Sequence, residues 1–315
     1  MTLEVPEISV VIPTLNREKP LCDTLRYFLE IETYPIFEVI VIDQSDVHVD
    51  ATRDFLAQNA ARIRYVPADY KSLPRARNHG VQLARGEIVV FVDDDVEPTA
   101  GFLLAHARCY VDPAVVGVAG PLLQDGQGLT SRTAIGERAY WTLVQRRGMR
   151  FDVDFSFSAQ WAAGCNMSFR RALIIEVGGF DETFYGAAIG EDAEFSHRAK
   201  KKGTIWYSPD ARLVHLAVPK GGCRDAVSHE YHRQVAFCVN YYLHRVEVGR
   251  SLRWVMVWRA FRGNVFNRKA LAGGGFLQSL LSFAEGLWKS SVHISRLNRD
   301  QGAHISASAA KRPRE

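Results

Sequence analysis

The sequence predicts an α/β protein built on an open, doubly wound, mostly parallel sheet, and two alternating features of its first half support this. Short runs rich in β-branched residues are almost continuously apolar, as expected of strands buried on both faces. The segments between these runs carry apolar residues at helical spacing. Because crossovers between parallel strands are right-handed, this alternation leaves an open sheet with helices on both faces.

The first half of the chain contains four predicted strands. In order they are Ile8–Ile12, Glu38–Ile42, Arg62–Val66 and Ile88–Val92. A helix is predicted over Glu18–Glu30, where Leu21, Leu25 and Phe28 repeat at helical spacing. A second is predicted over Ser72–Arg85 and stops before Gly86.

The second half is less regular. A turn-rich connector leads to a strand-like segment ending in GCNMSFRR, then to a predicted helix at Glu191–Lys202 and a predicted strand at Ala211–Leu216. We therefore expect one catalytic-sized domain over residues 1–218. A helical extension rich in Tyr, Trp and Arg is expected over 219–300, and a polar, disordered tail over 301–315.

Composition limits the class of protein. Of the 315 residues, 47% are apolar and 23% charged, which excludes a collagen-like, coiled-coil or wholly disordered chain. The first residues, MTLEVPE, lack the basic start and apolar run of a secretion signal. The five cysteines are odd in number and never spaced C-x-x-C, so neither a disulfide framework nor a structural zinc site is indicated. These features predict a cytoplasmic protein.

Charge is distributed unevenly along the chain. Residues 229–315 carry 14 basic and five acidic side chains, whereas residues 1–228 carry 25 basic and 30 acidic ones. The basic region mixes Trp254 and Trp258 with arginines, and this mixture suits either of two arrangements. One is a helix at an anionic membrane surface, which would place the protein peripherally at the inner face of the cell membrane. The other is a set of packing helices with arginines directed outward.

Ligands of open α/β sheets bind beyond the carboxyl ends of the strands, so polar residues at those positions are the candidates for a site. The clearest is the run Asp93-Asp94-Asp95 after the strand IVVFV. Alternation directs Asp93 and Asp95 to one side, where the pair could chelate a hard divalent cation, and mutual repulsion makes the run costly without one. A solvated acidic turn or a helix cap is the alternative.

Two further residues stand out. Asp192, in GEDAEFSHRAKKKG, shares a helical face with Phe195 and Ala199, so it lies on the packed side of a helix whose other charges suit the surface. A carboxylate there is favoured as a general base with a raised pKa. His215 ends a strand-like segment and is either an ordinary packed histidine or an imidazole ligand at the same cation.

Taken in order, several motifs resemble family 2 inverting glycosyltransferases of the GT-A fold. They are SVVIPTLNRE, FEVIVIDQSD, LPRARNHGVQLARGEIVVFVDDDVEP, AAGCNMSFRRALIIEVGGFDETF, GEDAEFSHRAKKKG and VHL, and together they span about residues 8–216. The resemblance implies transfer of a sugar from a nucleotide-sugar donor to a saccharide or lipid-linked acceptor, with a divalent cation, Mg²⁺ or Mn²⁺. It also implies a GT-A-type sheet with an acceptor-side subregion.

The resemblance also implies roles for individual residues. Asp192 matches the catalytic base, and Asp93, Asp95 and His215 match positions at the metal. The donor nucleotide is expected at Pro13, Thr14, Asn16, Asp43, Arg77, Asp93 and Asp94. The sugar and acceptor pocket is expected at Trp161, Gly164, Asn166 and Glu191, with Cys165 in the same segment. One departure concerns Asp43, because the second strand ends in DQSD rather than the commoner D-D-G-S.

Other classes fit less well. A nucleotidyltransferase is expected to carry a glycine-rich phosphate loop after the first strand, and a dehydrogenase G-x-G-x-x-G, but IPTLNR contains no glycine. A non-catalytic nucleotide-sugar-binding protein would lack Asp192 or the aspartate run. Nucleic acid is not expected as a partner, because no reader motif is present and the first part of the chain is acidic.

Overall fold

The computed structural model describes residues 6–124, 126–131, 151–218, 221–222, 229–266 and 276–310. Contacts divide the chain into two units. The first comprises the described residues of Met1–Thr183 and Glu191–Arg224, and the second those of Phe184–Gly190 and Asp225–Glu315. The segment Phe184–Gly190 thus belongs with the C-terminal residues, although no change of composition marks it in the sequence.

The first unit contains an eight-stranded sheet and a three-stranded sheet. Its strands are β1 (Ile8–Thr14), β2 (Phe37–Asp43), β3 (Ile63–Pro67), β4 (Ile88–Val92), β5 (Val96–Pro98), β6 (Val115–Ala119), β7 (Leu122–Leu123), β8 (Phe157–Ser158), β9 (Asn166–Arg170), β10 (Thr204–Tyr207) and β11 (Leu213–His215). The large sheet has the order β3-β2-β1-β4-β9-β6-β10-β8, and the small one the order β5-β11-β7. In the large sheet β1 to β4 are mutually parallel, and β9 is antiparallel to both of its neighbours.

Helices connect these strands. They are α1 (Lys19–Arg26, continued by a π-helical turn at Tyr27–Ile31), α2 (Asp50–Gln58), α3 (Leu73–Leu83), α4 (Phe102–Cys109), α5 (Arg171–Glu176) and α6 (Glu191–Lys200). The start of α3 follows from its sequence, because Ser72 accepts a hydrogen bond from the Arg75 N–H and Pro74 lies in the first turn. The predicted α/β class with a doubly wound, mostly parallel sheet is confirmed.

The sheet is buried on both faces, which explains the continuous apolar runs. Along β1, Val10 and Ile12 pack into one core cluster, whereas Val11 packs into the other. The same division holds in β4, where Val90 and Phe91 belong to opposite clusters. Neither face of these central strands therefore requires a polar residue.

The second unit is helical. It contains α7 (His229–Arg245), α8 (Arg250–Asn264) and α9 (Phe276–Ala310). The backbones of α7 and α9 approach closely at Gly286, where a Cβ atom would lie 2.2 Å from the Arg233 carbonyl oxygen. Among the described residues, none of the helices is both long and apolar enough to cross a membrane.

Residues 301–310, part of the tail that was expected to be disordered, are described as helix. Helix α9 continues to Ala310, and the alanines at 303, 307, 309 and 310 favour helix. Residues 311–315 lie outside the described part of the chain, as do residues 132–150 and the junction near residue 219.

Candidate active site

The aspartate run connects β4 to β5, and two strand registers fix what surrounds it. Antiparallel pairing of β4 with β9 sets Val92 opposite Asn166, so the next residue, Asp93, meets Cys165. Pairing of β5 with β11 sets Val96 opposite His215, which brings that histidine beside Asp95. Residues far apart in the chain thus meet where β4 ends.

Asp93, Asp95 and His215 form one cluster. The His215 Nε2 atom lies 3.5 Å from Asp93 Oδ2 and 3.3 Å from Asp95 Oδ1. Hydrogen bonds to Asp93 and Asp95 raise the pKa of His215 to about 9. Burial favours a raised pKa for Asp95, but its contacts with His215 and Arg17 outweigh this and lower it.

Asp94 points elsewhere, as the alternation in the sequence predicts. Its Oδ2 accepts a 2.6 Å hydrogen bond from the Thr14 hydroxyl at the end of β1, and its Oδ1 lies 3.6 Å from Arg17 Nε. Burial, only partly offset by these two contacts, raises the pKa of Asp94 to about 7.

Arg17 is a site residue that the sequence reasoning missed. Its buried guanidinium lies 3.3 Å from Asp95 and donates to the Val218 carbonyl, while its Nε atom makes no hydrogen bond. The Val218 N–H in turn donates to Asp95. Its place in the loop after β1, at the carboxyl edge of the sheet, could have identified this basic residue as a candidate.

The buried carboxylate of Asp43, at the end of β2, has three hydrogen-bonding partners within the protein. Its carboxylate accepts hydrogen bonds from the Tyr65 hydroxyl and the Ser45 N–H and contacts the His48 ring, and only 1% of the residue is exposed. These bonds outweigh burial and lower the pKa of Asp43. His48 and Tyr65 were not among the predicted site residues.

The end of β1 and the loop after it supply the other predicted nucleotide residues. Pro13 is buried within β1, and Asn16 is exposed with a φ of 53°, a conformation that asparagine tolerates. The Asn16 N–H donates to the Ser45 hydroxyl, which links the ends of β1 and β2.

Asp192 lies in the first turn of α6, and Phe195 and Ala199 on its helical face are fully buried, as predicted. Its carboxylate accepts hydrogen bonds from the Gly164 N–H at 2.9 Å and from the Ala193 N–H at 2.8 Å. Burial raises its pKa, and the charge of Asp93 acts in the same direction.

Arg77 and Glu191 form a buried ion pair beside the loop that contains Gly164. Arg77 on α3 bonds to Glu191, donates to the Gly164 carbonyl at 3.1 Å and lies 3.8 Å from Asp93. Only 2% of Arg77 is exposed. A Cβ atom on Gly164 would lie 2.4 Å from the guanidinium, so this close approach requires glycine. Asp93, which lies near Arg77, and Asp192, which accepts from the Gly164 N–H, therefore approach the same loop at Gly164.

Two predicted pocket residues have other surroundings. Asn166 is fully buried, and its amide donates to the carbonyls of Pro121 and Ala211, which differs from its expected place at the floor of a sugar pocket. Trp161 is half-buried and packs edge-to-face on Phe151, with ring centroids 4.8 Å apart.

The donor set fits a divalent cation. The carboxylates of Asp93 and Asp95 each lie within 3.5 Å of the His215 imidazole, and carboxylate oxygen and imidazole nitrogen are ligands for Mg²⁺- and Mn²⁺-type ions. The carboxylates of Asp93 and Asp95, which raise the pKa of His215, would also attract a bound cation.

Sequence comparison identifies related proteins. The model of the family "Glycosyl transferase family 2" matches residues 9–178. A validoxylamine A glucosyltransferase of Streptomyces hygroscopicus subsp. limoneus is 32% identical over 229 residues, which cover 64% of this chain and 49% of that protein. A GalNAc(5)-diNAcBac-PP-undecaprenol beta-1,3-glucosyltransferase of Campylobacter jejuni is 28% identical, covering 58% of this chain and 57% of the relative. The chain thus spans about half the length of these relatives.

Solved structures share the fold. A mannosyltransferase from Pyrobaculum calidifontis, in complex with GDP-Man and Mn²⁺, has a TM-score of 0.54 and 20% identity, covering 98% of this chain and 87% of that chain. S. aureus TarS 1-349, in complex with UDP-GlcNAc, has a TM-score of 0.60 and 17% identity, covering 89% and 81%. At these identities the likeness concerns the fold alone.

Proposed function

Because the chain belongs to glycosyl transferase family 2, we propose that it transfers a sugar from a nucleotide-sugar donor to a hydroxyl of a saccharide or lipid-linked acceptor, with inversion at the anomeric carbon. The observation that carries this proposal is the placement of Asp192 and Asp93 around the single loop at Gly164. Asp93 is then available to hold a cation for the departing diphosphate, and Asp192 is available for the attacking hydroxyl.

The donor is proposed to bind along the carboxyl edge of β1, β2 and β4. Asp93, Asp95 and His215 would hold a divalent cation, Mg²⁺ or Mn²⁺, which offsets the negative charge of the leaving diphosphate when bound. The Mn²⁺ and GDP-Man of the mannosyltransferase structure support a donor of this class. Nucleotide contacts are proposed at Pro13, Thr14, Asn16, Asp43, Arg77 and Asp94.

Asp192 is proposed as the general base. Its raised pKa makes it a better proton acceptor than an exposed aspartate, and the Gly164 and Ala193 N–H groups fix the carboxylate in place. The acceptor hydroxyl loses its proton to Asp192 as its oxygen bonds to the anomeric carbon. A single displacement with one base inverts that carbon. Glu191, Trp161 and Gly164 are proposed to border the sugar and acceptor.

The Asp192→Asn variant tests this assignment. It should bind nucleotide-sugar with Mn²⁺ as the unchanged protein does, while turnover falls by roughly 10²- to 10⁴-fold because the base is lost. Calorimetry gives donor binding, and release of nucleoside diphosphate from UDP-, GDP- and dTDP-sugars gives turnover. Asp46→Asn, which removes an exposed carboxylate paired with Lys71, is the matched control.

The same measurements separate the alternatives. Near-normal turnover of Asp192→Asn would contradict the base assignment. If the protein only binds nucleotide-sugars, the unchanged chain would bind the donor but release no nucleoside diphosphate, whichever acceptor is supplied. A nucleotidyltransferase would instead release pyrophosphate from a nucleoside triphosphate.

The second unit is proposed to contact an anionic membrane surface. On helix α8 Val257 is buried, whereas Trp254 and Trp258 are 70% and 58% exposed. With α9 it forms an apolar groove of about 280 Å³, lined by residues that include Trp258, Phe261 and Leu280.

Charge favours a bilayer as the occupant of this surface. From residue 248 to residue 284 the sequence contains six basic residues and no acidic one. Exposed tryptophan in a segment whose sequence has basic and no acidic residues matches an interface with anionic lipid headgroups. A lipid-linked acceptor would lie at such an interface.

A further inference from the structure

Cys165 stands closer to the proposed cation site than the sequence suggests. It precedes β9, and because Val92 pairs with Asn166, the cysteine comes level with Asp93. His215 reaches the same place through the pairing of β11 with β5. A sulfur atom of Cys165, a carboxylate oxygen of Asp93 and an imidazole nitrogen of His215 thus come together from three different parts of the fold.

The distances are those of a potential coordination group. The Cys165 Sγ, an Asp93 carboxylate oxygen and an imidazole nitrogen of His215 all lie within 4.8 Å of one another, and all three residues are half-buried. One side of Cys165 packs on the hydrophobic core. Core packing alone explains a small apolar side chain at this position, but it does not explain why the sulfur is directed toward a carboxylate and an imidazole.

We propose that Cys165 is a ligand of the bound cation, together with Asp93 and His215, and that the site therefore prefers borderline ions such as Zn²⁺ and Co²⁺ over Mg²⁺. This inference rests on the proposed function, in which the aspartate run holds a cation for the donor. On coordination the sulfur binds as thiolate, and the thiol proton passes to solvent.

The preference follows from ligand chemistry. Carboxylate and water oxygens suit Mg²⁺, whereas thiolate and imidazole favour later transition ions, whose affinity rises through Mn²⁺, Co²⁺ and beyond. A site of carboxylates alone offers less of this discrimination. The sulfur thus decides which ion the full chain retains when several compete.

Cobalt absorption tests the inference without relying on turnover. The full chain, stripped of metal, is titrated with Co²⁺ alone, and two regions of the spectrum are followed. Visible d–d bands report protein-bound cobalt, and a near-ultraviolet charge-transfer band reports a sulfur–cobalt bond. We expect both bands in the unchanged protein and in the control Cys109→Ser, a half-buried cysteine on α4.

In Cys165→Ser the near-ultraviolet band should vanish. The ratio of Zn²⁺ affinity to Mg²⁺ affinity should fall by at least about tenfold. Even the loss of a residue that only supports a metal ligand lowers metal affinity by about that factor. Visible bands without the near-ultraviolet band in the unchanged protein would overturn the role of Cys165 and leave the proposed cation site intact. Absence of both bands would overturn this inference, and absence of Mn²⁺ binding as well would also contradict the cation in the proposed function.

A second measurement covers a variant that fails to fold. The unchanged chain is treated with iodoacetamide with and without Zn²⁺, and the alkylated cysteines are identified by mass spectrometry. Zn²⁺ should protect Cys165 and not Cys109. Equal alkylation of Cys165 in both conditions would overturn the inference.

Discussion

At the scale of single residues, a buried polar network supports the strand beside the aspartate run. The His106 ring contacts the Ser168 hydroxyl at 2.9 Å and the Asn166 amide oxygen at 3.2 Å, and the Tyr110 hydroxyl also contacts Ser168. All the polar atoms of the Asn166 amide are thereby used inside the fold. The network holds β9 at the position that sets Cys165 and Gly164.

His106 makes stability depend on pH. Burial lowers its pKa to about 4, whereas an unfolded histidine titrates near 6.5, so the unfolded state binds more protons in between. The stability from neutral His106 is complete above about pH 6.5 and is lost as the pH falls toward 4, by about 3 kcal/mol in all. Urea unfolding of the unchanged chain and of His106→Gln between pH 7.5 and 4.5 measures this.

Other carboxylates and histidines titrate in the same range, so the difference between the two proteins is the quantity that matters. His106→Gln should be less stable at pH 7.5, with the gap narrowing as the pH falls. A gap that stays constant down to pH 4.5 would contradict a neutral, buried His106.

The predicted and missed site residues differ in one physical respect. Asp93, Asp95, Asp192 and His215 were predicted as site residues because each is costly or unusual in its local sequence context. His48 was missed although its partner Asp43 lies only five residues earlier. Arg17 and Tyr65 were missed because their partners lie elsewhere in the chain: Arg17 contacts Asp95, and Tyr65 contacts Asp43 from the next strand. No local pattern encodes such pairings.

At the scale of elements, α3 lies unusually close to β1. A Cβ atom on Gly80 would lie 2.3 Å from a methyl of Val11, inside the normal contact distance of carbon atoms. This glycine lets the helix that carries Arg77 approach the strand that carries Thr14. The position of Arg77 near Asp93 therefore depends on the packing of Gly80, one turn further along α3, against Val11.

Gly80→Ala should destabilise the first unit. The added methyl overpacks the contact between α3 and β1, a change that typically costs about 1–3 kcal/mol and here outweighs the gain in helix propensity. Gly263→Ala makes the same chemical change on α8, where no atom lies within 4 Å of the new Cβ, and should be neutral or stabilising by up to about 1 kcal/mol. Thermal unfolding followed by circular dichroism compares them, and equal effects would contradict the close contact at Val11.

Element prediction succeeded best where strands are buried on both faces. β1, β2 and β4 were expected within two residues of their bounds, because IVVFV-type runs have few alternatives. β3 was expected within one residue of its bounds, but it lies at the edge of the sheet and most of its residues are exposed or half-buried. The strands β7 and β8 contain two residues each, too few for any periodicity to show. Their positions come from pairing with β11 and β10, which only the folded chain supplies.

At the scale of the whole molecule, the basic helical unit accompanies an acidic sheet unit in one chain. The sheet unit carries the proposed chemistry, and the second unit carries the exposed apolar surface of α8 and α9. Composition predicted the charge difference and left membrane contact and ordinary packing both open. The exposure of Trp254 and Trp258 favours the first of these, because a patch of large exposed apolar side chains marks an interaction surface.

The full chain should therefore bind anionic vesicles through α8. Sedimentation with phosphatidylcholine vesicles containing phosphatidylglycerol should retain the protein, with less retention on pure phosphatidylcholine and at high salt. The double variant Trp254→Ser/Trp258→Ser should bind at least about tenfold more weakly, since insertion of a large apolar side chain contributes about 1.5–3 kcal/mol. Val47→Ser/Val111→Ser removes similarly exposed apolar residues from the first unit and should bind normally. Equal loss in both variants, or a stable dimer in solution that the tryptophan substitutions dissociate, would contradict the membrane assignment and indicate instead that another protein surface covers α8.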